Sequence, residues 1–199
     1  MTRRRSSYRS LASLQRDLGV CRACVEAGYP LESRPVRNLE FGQRAYMYGQ
    51  APGIEEGRER RPWRGRAGRT LRKWLQLGEE EFYATFYCAS ATRCYPGRDT
   101  LRGDRKPTRR EQELCAFWRE WELALLRPRL IVPVGGLAIE RLLAIRGLES
   151  CIGCSYELGG ATVIPLPHPS GASAWTYANR ELTERAAGLV RDAVARLQG

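Results

Sequence analysis

The chain has 199 residues, of which 43% are hydrophobic and 28% are charged. These proportions are typical of an ordinary globular protein, and we expect residues 1–199 to form one domain with its own core. The sequence has no run of about 18 apolar residues, and its basic N-terminus leads into polar residues rather than an apolar signal segment. We therefore expect a cytoplasmic protein that has no membrane partner.

Positive charge dominates the composition. The chain has 33 lysines and arginines against 22 acidic residues, and only Lys73 and Lys106 are lysines. The resulting net charge of +11 favours an anionic partner, most commonly nucleic acid. Arginine also suits bidentate contacts with phosphate groups.

Helical and strand patterns alternate along the chain. In chain order the sequence predicts a helix at 8–18, a strand at 44–48, a loop at 54–66, a helix at 67–77, a strand at 82–91, a loop at 95–106, a helix at 109–126, a strand at 130–134, a helix at 135–145, a strand at 161–166 and a helix at 182–197. The helix at 109–126 is marked by a capping-box pattern, with Thr108 before it and Glu111 in its first turn.

This alternation predicts an α/β protein with a mostly parallel sheet that is covered by helices on both faces. In such sheets, sites form in the crevice at the carboxyl ends of the strands. Segments 49–53, 90–94 and 168–170 each follow a predicted strand. We therefore expect these three segments to share one pocket.

Seven cysteines and one histidine limit the possible metal chemistry. An odd cysteine count argues against a disulfide framework, so metal or cluster ligation is the leading alternative. Cys21 and Cys24 form a CxxC motif, and Cys94 and Cys115 flank the start of the capped helix. Two pairs of thiolates suit either a [4Fe–4S] cluster or structural zinc. We favour the cluster because Cys94 and Cys115 do not form the second CxxC that is typical of a zinc ribbon.

A second CxxC motif, Cys151 and Cys154, competes with Cys94 and Cys115 for the same role. Cys88 lies in the middle of a predicted strand and is interpreted as a small buried hydrophobic residue.

Six short motifs occur in a characteristic order. They are GQAPG at 49–53, RPWRGRAG at 61–68, TRCYP at 92–96, DRKPT at 104–108 with EQELC at 111–115, IVPVG at 131–135 and PHPS at 167–170. In this order they resemble the signature motifs of the family 4 uracil-DNA glycosylases, from about residue 14 to the end of the chain. The resemblance implies a three-layer α/β/α fold with a central four-stranded, mostly parallel sheet. It also implies a [4Fe–4S] cluster held by Cys21, Cys24, Cys94 and Cys115.

The activity that the resemblance implies is hydrolysis of the N-glycosidic bond of a damaged base, as in base excision repair. Three residues depart from the family pattern. Gln50 stands where the family usually has Glu, Trp63 replaces a stacking Phe, and Ser90 replaces the Asn that reads the uracil edge. These departures leave open both a changed base preference and a loss of activity.

A base within a duplex must be extruded into a pocket before it is cut from the sugar. We expect Trp63 to stack on that base, and His168 to donate a hydrogen bond to a carbonyl oxygen of the departing base. Gln50 would orient the attacking water, and Glu56 or Glu55 would be the nearest general base. The remaining predicted substrate-binding residues are Gly49, Ala51, Pro52, Gly53, Ser90 and Ser170.

Two flanking segments are predicted to contact DNA. In the resembling family the loop at 170–175 wedges into the duplex, and Trp175 is a candidate wedge, with packing on the final helix as the alternative. A basic segment beside Trp63 would neutralise phosphates through Arg58, Arg60, Arg61, Arg64, Arg66 and Arg69. Because neither lysine lies in the predicted pocket, a Schiff-base step is not expected.

We therefore predict a monofunctional, monomeric DNA glycosylase that removes uracil or another deaminated base from DNA. One alternative is a module of the same fold that binds DNA or abasic sites without catalysis, which Gln50 and Ser90 would favour. Another is a nucleic-acid-binding protein with a thiolate-zinc site.

Overall fold

A sheet with helices on both faces forms the centre of the protein. The computed structural model describes residues 4–99, 103–170 and 174–198. In this part of the chain the strands are β1 (Ala45–Gly49), β2 (Phe86–Ser90), β3 (Arg98–Asp99), β4 (Gly103–Asp104), β5 (Leu130–Pro133), β6 (Tyr156–Leu158) and β7 (Ala161–Val163). The helices are α1 (Leu11–Leu18), α2 (Ala23–Glu26), α3 (Ile54–Glu59), α4 (Arg66–Leu75), α5 (Glu79–Thr85), α6 (Arg109–Leu126), α7 (Gly136–Leu143), α8 (Ala174–Ala178) and α9 (Arg180–Gln198).

The main sheet has the strand order β2-β1-β5-β7-β6 within the described residues. Strands β2, β1, β5 and β7 are parallel to one another, and β6 pairs antiparallel with β7. The four parallel strands are the predicted ones, so the three-layer, mostly parallel architecture is confirmed. Their carboxyl ends lie at one edge, which is the place where sites form in such sheets.

Alternate residues of each strand enter different halves of the core, as the two-residue repeat of a strand requires. In β1, Ala45 and Met47 pack with α4, α5 and α9, whereas Tyr46 and Tyr48 pack with α6 and α7. Both faces are therefore apolar, which explains why the strand sequences are continuously hydrophobic.

The predicted capping box at the start of α6 is confirmed. The Glu111 N–H donates to Thr108 Oγ1 at 3.2 Å, and the Thr108 N–H donates to the Glu111 carboxylate at 2.7 Å. Arg105 also donates to both oxygens of this carboxylate, at 2.8 Å each. The helix begins and ends at the predicted residues.

Two predicted elements are wrong in part. The segment 82–91 was expected to be one strand, but its first residues belong to α5, because Gly78 and three glutamates in the first turn start a helix there. The segment 54–66 was expected to be a loop, but it contains α3. The Glu56 carboxylate in the first turn of α3 accepts the Gly53 N–H that precedes the helix, which stabilises this short helix.

The fifth strand, β6, was not predicted. It pairs with β7 through the two-residue turn Gly159-Gly160, in which both glycines have positive φ (58° and 81°). Such turns match the twist of a hairpin and favour glycine at both positions. The loop predicted at 95–106 contains the short β3–β4 ribbon, and its residues 100–102 lie outside the described part of the chain. Of the helices that the structure describes, none combines the length and apolar character that a membrane span requires.

Candidate active site

The loops that follow β1 and β2 are joined at the carboxyl edge of the sheet. Gly49 and Ser90 are paired at the ends of these strands. Beyond them, the Ala91 N–H donates to the Gly49 carbonyl at 2.9 Å and the Thr92 N–H donates to the Gln50 carbonyl at 3.2 Å. The structure thus brings the predicted segments 49–53 and 90–94 together.

Trp63 lies directly on the end of β1. A β-carbon placed on Gly49 would be 3.1 Å from Cζ2 of the Trp63 indole, so glycine is what allows this contact. Trp63 itself has a positive φ of 56°, and its carbonyl oxygen accepts a hydrogen bond from Arg72 Nη1 at 2.9 Å. A β-carbon on Gly68 would lie 1.8 Å from the same carbonyl oxygen. Position 68 therefore requires glycine if the turn at Trp63 is to pack on α4.

His168 lies in the loop after β7, at the same edge of the sheet as Trp63. The centroid of its ring is 6.5 Å from that of Trp63, with 37° between the ring planes. Its Nδ1 accepts the Ser170 N–H at 3.3 Å, which places the proton of the neutral ring on Nε2. Burial lowers the pKa of His168, and the neutral imidazole is therefore favoured at neutral pH. A β-carbon on Gly135, which has a φ of 86°, would come within 3.3 Å of His168 Cβ.

Glu56, a candidate base in the sequence, uses both carboxylate oxygens in contacts with the backbone. Oε2 accepts the Gly53 N–H at 3.1 Å, and Oε1 accepts the Gly65 N–H at 2.7 Å. Gly53 and Gly65 are the residues that precede α3 and α4, respectively. This buried carboxylate therefore ties together the starts of the two helices on either side of the turn that carries Trp63.

The other predicted pocket residues lie along the same edge. The Ser90 hydroxyl donates to the Thr92 carbonyl at 2.6 Å, so its hydrogen is already in use. Pro52 is buried, whereas Gln50 and Ala51 are half-buried. Relative to an asparagine side chain, Ser90 offers a shorter and less versatile hydrogen-bonding group.

The basic segment beside Trp63 is extensively paired with acidic residues, which the sequence did not reveal. Arg64 forms ion pairs with Glu59 and Glu79, and Arg61 lies 3.9 Å from Glu79. Arg69 forms a 3.5 Å ion pair with Glu55. The positive potential of this segment is therefore lower than its arginine count indicates.

The segment after His168 is only partly described, because residues 171–173 of the predicted wedge loop lie outside the described part of the chain. Trp175 packs against the core, and its indole N–H donates to Glu149 at 2.5 Å. This arrangement corresponds to a packing role rather than to a free wedge. Tyr177, for which no role was predicted, is 75% exposed, and the Arg180 guanidinium lies 4.6 Å from its ring centroid.

Behind the pocket, the four cysteines predicted to act together line one small cavity. Cys21, Cys24, Cys94 and Cys115 share it with apolar residues and with Arg22, Thr92 and Arg93. Burial raises the pKa of Cys24 to about 12 and that of Cys115 to about 11, and the thiols also raise one another's pKa. Among the described residues, no three side chains of the usual ligand types are spaced for a single metal ion.

The donor types suit an iron–sulfur cluster or a thiolate-bound zinc ion. Four soft sulfur donors converge on one cavity, and the described part of this site contains no histidine. Thr92 Oγ1 is buried in the same region and has no hydrogen-bond partner among the described residues. A thiolate or inorganic sulfide in the cavity would accept the hydrogen of this hydroxyl.

The remaining cysteines lie elsewhere. Cys151 is buried in the core on the other side of the sheet, and Cys154 is exposed next to it. Cys88 is buried within β2, where burial raises its pKa, in agreement with the predicted apolar role. The structure thus does not bring the second CxxC motif to the four-cysteine cavity.

Fold and site together define a three-layer α/β/α protein with an indole and an imidazole at the carboxyl edge of its parallel strands. The family model of the uracil DNA glycosylase superfamily matches residues 39–188. The chain belongs to this superfamily.

Several known proteins are similar to the chain. A type-5 uracil-DNA glycosylase of Thermus thermophilus is 32% identical over 155 residues, which are 67% of each chain. A type-4 uracil-DNA glycosylase of Thermotoga maritima is 29% identical over 130 residues, or 64% of this chain and 65% of the relative. Another type-4 enzyme, of Archaeoglobus fulgidus, is 28% identical over 70% of this chain and 67% of its own. The matches thus span about two thirds of the relatives' own lengths.

Proposed function

We propose that the protein is a monofunctional DNA glycosylase that hydrolyses the N-glycosidic bond of uracil or another deaminated base. The proposal is supported by membership of the superfamily and by the uracil-DNA glycosylases among its relatives. The observation that carries it is the placement of Trp63 against Gly49, with the His168 ring 6.5 Å away.

The extruded base would enter at the carboxyl edge of β1 and stack on Trp63. Stacking on an aromatic side chain contributes roughly 1–3 kcal/mol per base. Gly49, Ala51, Pro52 and Gly53 would provide the backbone wall of this pocket, because small residues let the backbone approach a flat ligand closely. Ser90 would offer only hydroxyl lone pairs to the base edge, which leaves room for more than one base.

During bond cleavage the bonding electron pair passes to the base, and the sugar acquires oxocarbenium character. His168 would donate its Nε2–H to a carbonyl oxygen of the departing base and stabilise the negative charge that develops there. The Ser170 N–H assists by holding Nδ1 as an acceptor, which keeps the proton on Nε2. A neutral donor is sufficient for this role.

Water then adds to the anomeric carbon of the sugar and loses a proton to solvent. Gln50 would orient this water through its amide, which is able to hydrogen-bond but not to remove a proton. We assign Glu56 a positioning role, because both of its oxygens hold the backbone that carries Trp63. Lys73 lies on α4 and Lys106 precedes α6, which agrees with hydrolysis rather than a Schiff-base mechanism.

The proposed partner is DNA that contains a damaged base, bound by a monomer of this chain. The net charge of +11 supports an anionic partner. The proposed cofactor is a [4Fe–4S] cluster held by Cys21, Cys24, Cys94 and Cys115. When bound, such a cluster would cross-link the N-terminal segment to the end of β2 and to α6.

The proposal is tested with purified, iron-loaded protein and duplex and single-stranded oligonucleotides that contain uracil, hypoxanthine or xanthine. Abasic product from at least one of these substrates is expected after alkaline cleavage and gel separation. Unmodified oligonucleotides and the His168→Asn variant are the controls. Tight, salt-dependent DNA binding without abasic product from any substrate would instead indicate a non-catalytic module.

A further inference from the structure

A buried ion pair lies between the four-cysteine cavity and the proposed base pocket. It joins Arg93, which directly precedes Cys94, to Glu122 on α6. The Arg93 side chain is 4% exposed and the Glu122 side chain is fully buried. Buried ion pairs are not general stabilisers of a fold, since apolar residues often pack as well. The role of the Arg93–Glu122 pair therefore depends on the groups that the two side chains contact.

Arg93 contacts both sites directly. One arm of its guanidinium donates to the Ser90 carbonyl oxygen, and the other pairs with Glu122. Arg93 also lines the four-cysteine cavity, together with Cys94 and Cys115. One residue thus connects a cysteine of the cavity to the last residue of β2, which is paired with Gly49 beneath Trp63.

Glu122 is held in place from several directions. Tyr46 donates to Oε2 at 2.8 Å, whereas Tyr87 and Gln15 donate to Oε1 at 3.2 and 3.0 Å. These donors come from β1, β2 and α1, so the carboxylate is fixed relative to the sheet. Glu122 also lies two helical turns after Cys115, on the same face of α6.

We propose that Arg93 and Glu122 are positioning residues that couple the occupancy of the four-cysteine site to the geometry of the base pocket. This inference rests on the proposed function for the identity of the pocket. Occupancy of the site would hold Cys94 and, with it, the backbone of Arg93, whose guanidinium contacts the Ser90 carbonyl at the end of β2. Without Arg93 this half-buried carbonyl loses its donor, and the hydrogen bonds that join the two loops weaken.

The test is hydrogen exchange of the Ala91 and Thr92 amides, which join the two loops. It compares protein reconstituted with ferrous iron and sulfide with protein stripped of metal, in the absence of DNA. Arg93→Lys keeps the charge but loses the two-armed bridge. The matched control is Arg109→Lys, which alters an exposed ion pair with Glu113 on α6, the helix that carries Glu122.

In the wild type and in Arg109→Lys, reconstitution is expected to slow exchange at these amides by about fivefold to tenfold. In Arg93→Lys, exchange is expected to be fast and to change little on reconstitution, although the iron content stays at the wild-type level. If Arg93→Lys does not fold, Glu122→Gln takes its place with the same expected result. Iron-dependent protection in these variants equal to that of the wild type would overturn the proposal. A wild-type exchange rate that is the same with and without iron would also overturn it.

This readout does not depend on catalysis. Absence of base release by every form would refute the proposed glycosylase activity and leave the exchange result interpretable. If the wild type is active, Arg93→Lys is expected to lower the single-turnover rate by about tenfold, while its Kd for substrate DNA stays within about twofold. A loss of affinity with an unchanged rate would contradict the positioning role.

Discussion

The indole of Trp63 lies 3.1 Å from the point that a β-carbon at position 49 would occupy. The first glycine of the GQAPG motif is therefore explained by packing as well as by access of a ligand. The contact also fixes the indole relative to the sheet, which is the precondition for stacking on an extruded base.

The Gly49→Ala substitution is expected to displace the indole and to weaken binding of uracil-containing DNA. The loss should not exceed the roughly 1–3 kcal/mol that stacking of one base contributes. Binding is measured by fluorescence anisotropy, alongside the midpoint of thermal unfolding. Gly188→Ala is the control, because its new β-carbon would meet only Arg191 Nη2 at 3.5 Å. Equal affinities of wild type and Gly49→Ala would argue against stacking on Trp63.

The His168→Asn substitution is expected to lower the rate of base release by about 10²- to 10³-fold, because it removes the proposed donor to the departing base. Single-turnover kinetics on uracil-containing DNA measure this rate. The control is Ser170→Ala, which retains the backbone N–H that holds Nδ1. A His168→Asn enzyme as fast as Ser170→Ala would eliminate the imidazole from the mechanism.

Stability should depend on pH through His168, which is the chain's single histidine. Because burial lowers its folded-state pKa, the unfolded chain takes up a proton at a higher pH than the folded protein does. The free energy of unfolding should therefore decrease as pH falls from the ordinary histidine pKa, about 6.5, towards the lowered folded value. Urea unfolding between about pH 5 and 7.5 measures this slope, and His168→Asn should remove most of it. An identical slope in the variant would show that other groups cause it.

The Glu56→Gln substitution separates positioning from proton removal. An amide is able to accept from only one of the two N–H groups, those of Gly53 and Gly65, and turns its own NH₂ towards the other. We therefore expect the free energy of unfolding to decrease by about 1–3 kcal/mol. Denaturant unfolding and the rate of base release are measured together. Glu113→Gln, which alters an exposed ion pair with Arg109 on α6, serves as the control. Unchanged stability with a large loss of rate would identify Glu56 as the base instead.

The four-cysteine assignment predicts which variants lose iron. Cys94→Ser and Cys115→Ser should bind much less iron and lose visible absorbance, whereas Cys151→Ser and Cys154→Ser should retain both, because they lie outside the cavity. Iron, zinc and sulfide are determined per chain after anaerobic purification. A wild-type protein with one zinc and no iron would refute the cluster, and iron loss in Cys151→Ser would implicate the second CxxC motif.

Short-range patterns were sufficient for much of the fold. The capping box of α6 and the positions of the four parallel strands depend on residues that are close together in the chain. The convergence of the loops follows from the general rule that parallel strands share one carboxyl edge. The wrong predictions concern segments in which the local pattern was ambiguous or in which a residue from outside the element was needed. The strand predicted at 82–91 begins as α5, because a short apolar run does not by itself distinguish a helix from a strand. Likewise, α3 depends on Glu56, whose second partner, Gly65, comes from outside the helix.

The sequence by itself determined the order of the four parallel strands along the chain, the excess of positive charge and the residue types available for chemistry, because these depend on composition and local spacing. Only the tertiary structure decided which of those residues meet. It paired three of the arginines beside Trp63 with glutamates and packed Trp175 against the core. It left Cys151 and Cys154 outside the four-cysteine cavity and placed Arg93 between that cavity and Ser90. The physical reason is that a charge or a hydrogen-bonding group acquires its role from its partners, which folding brings from distant parts of the chain.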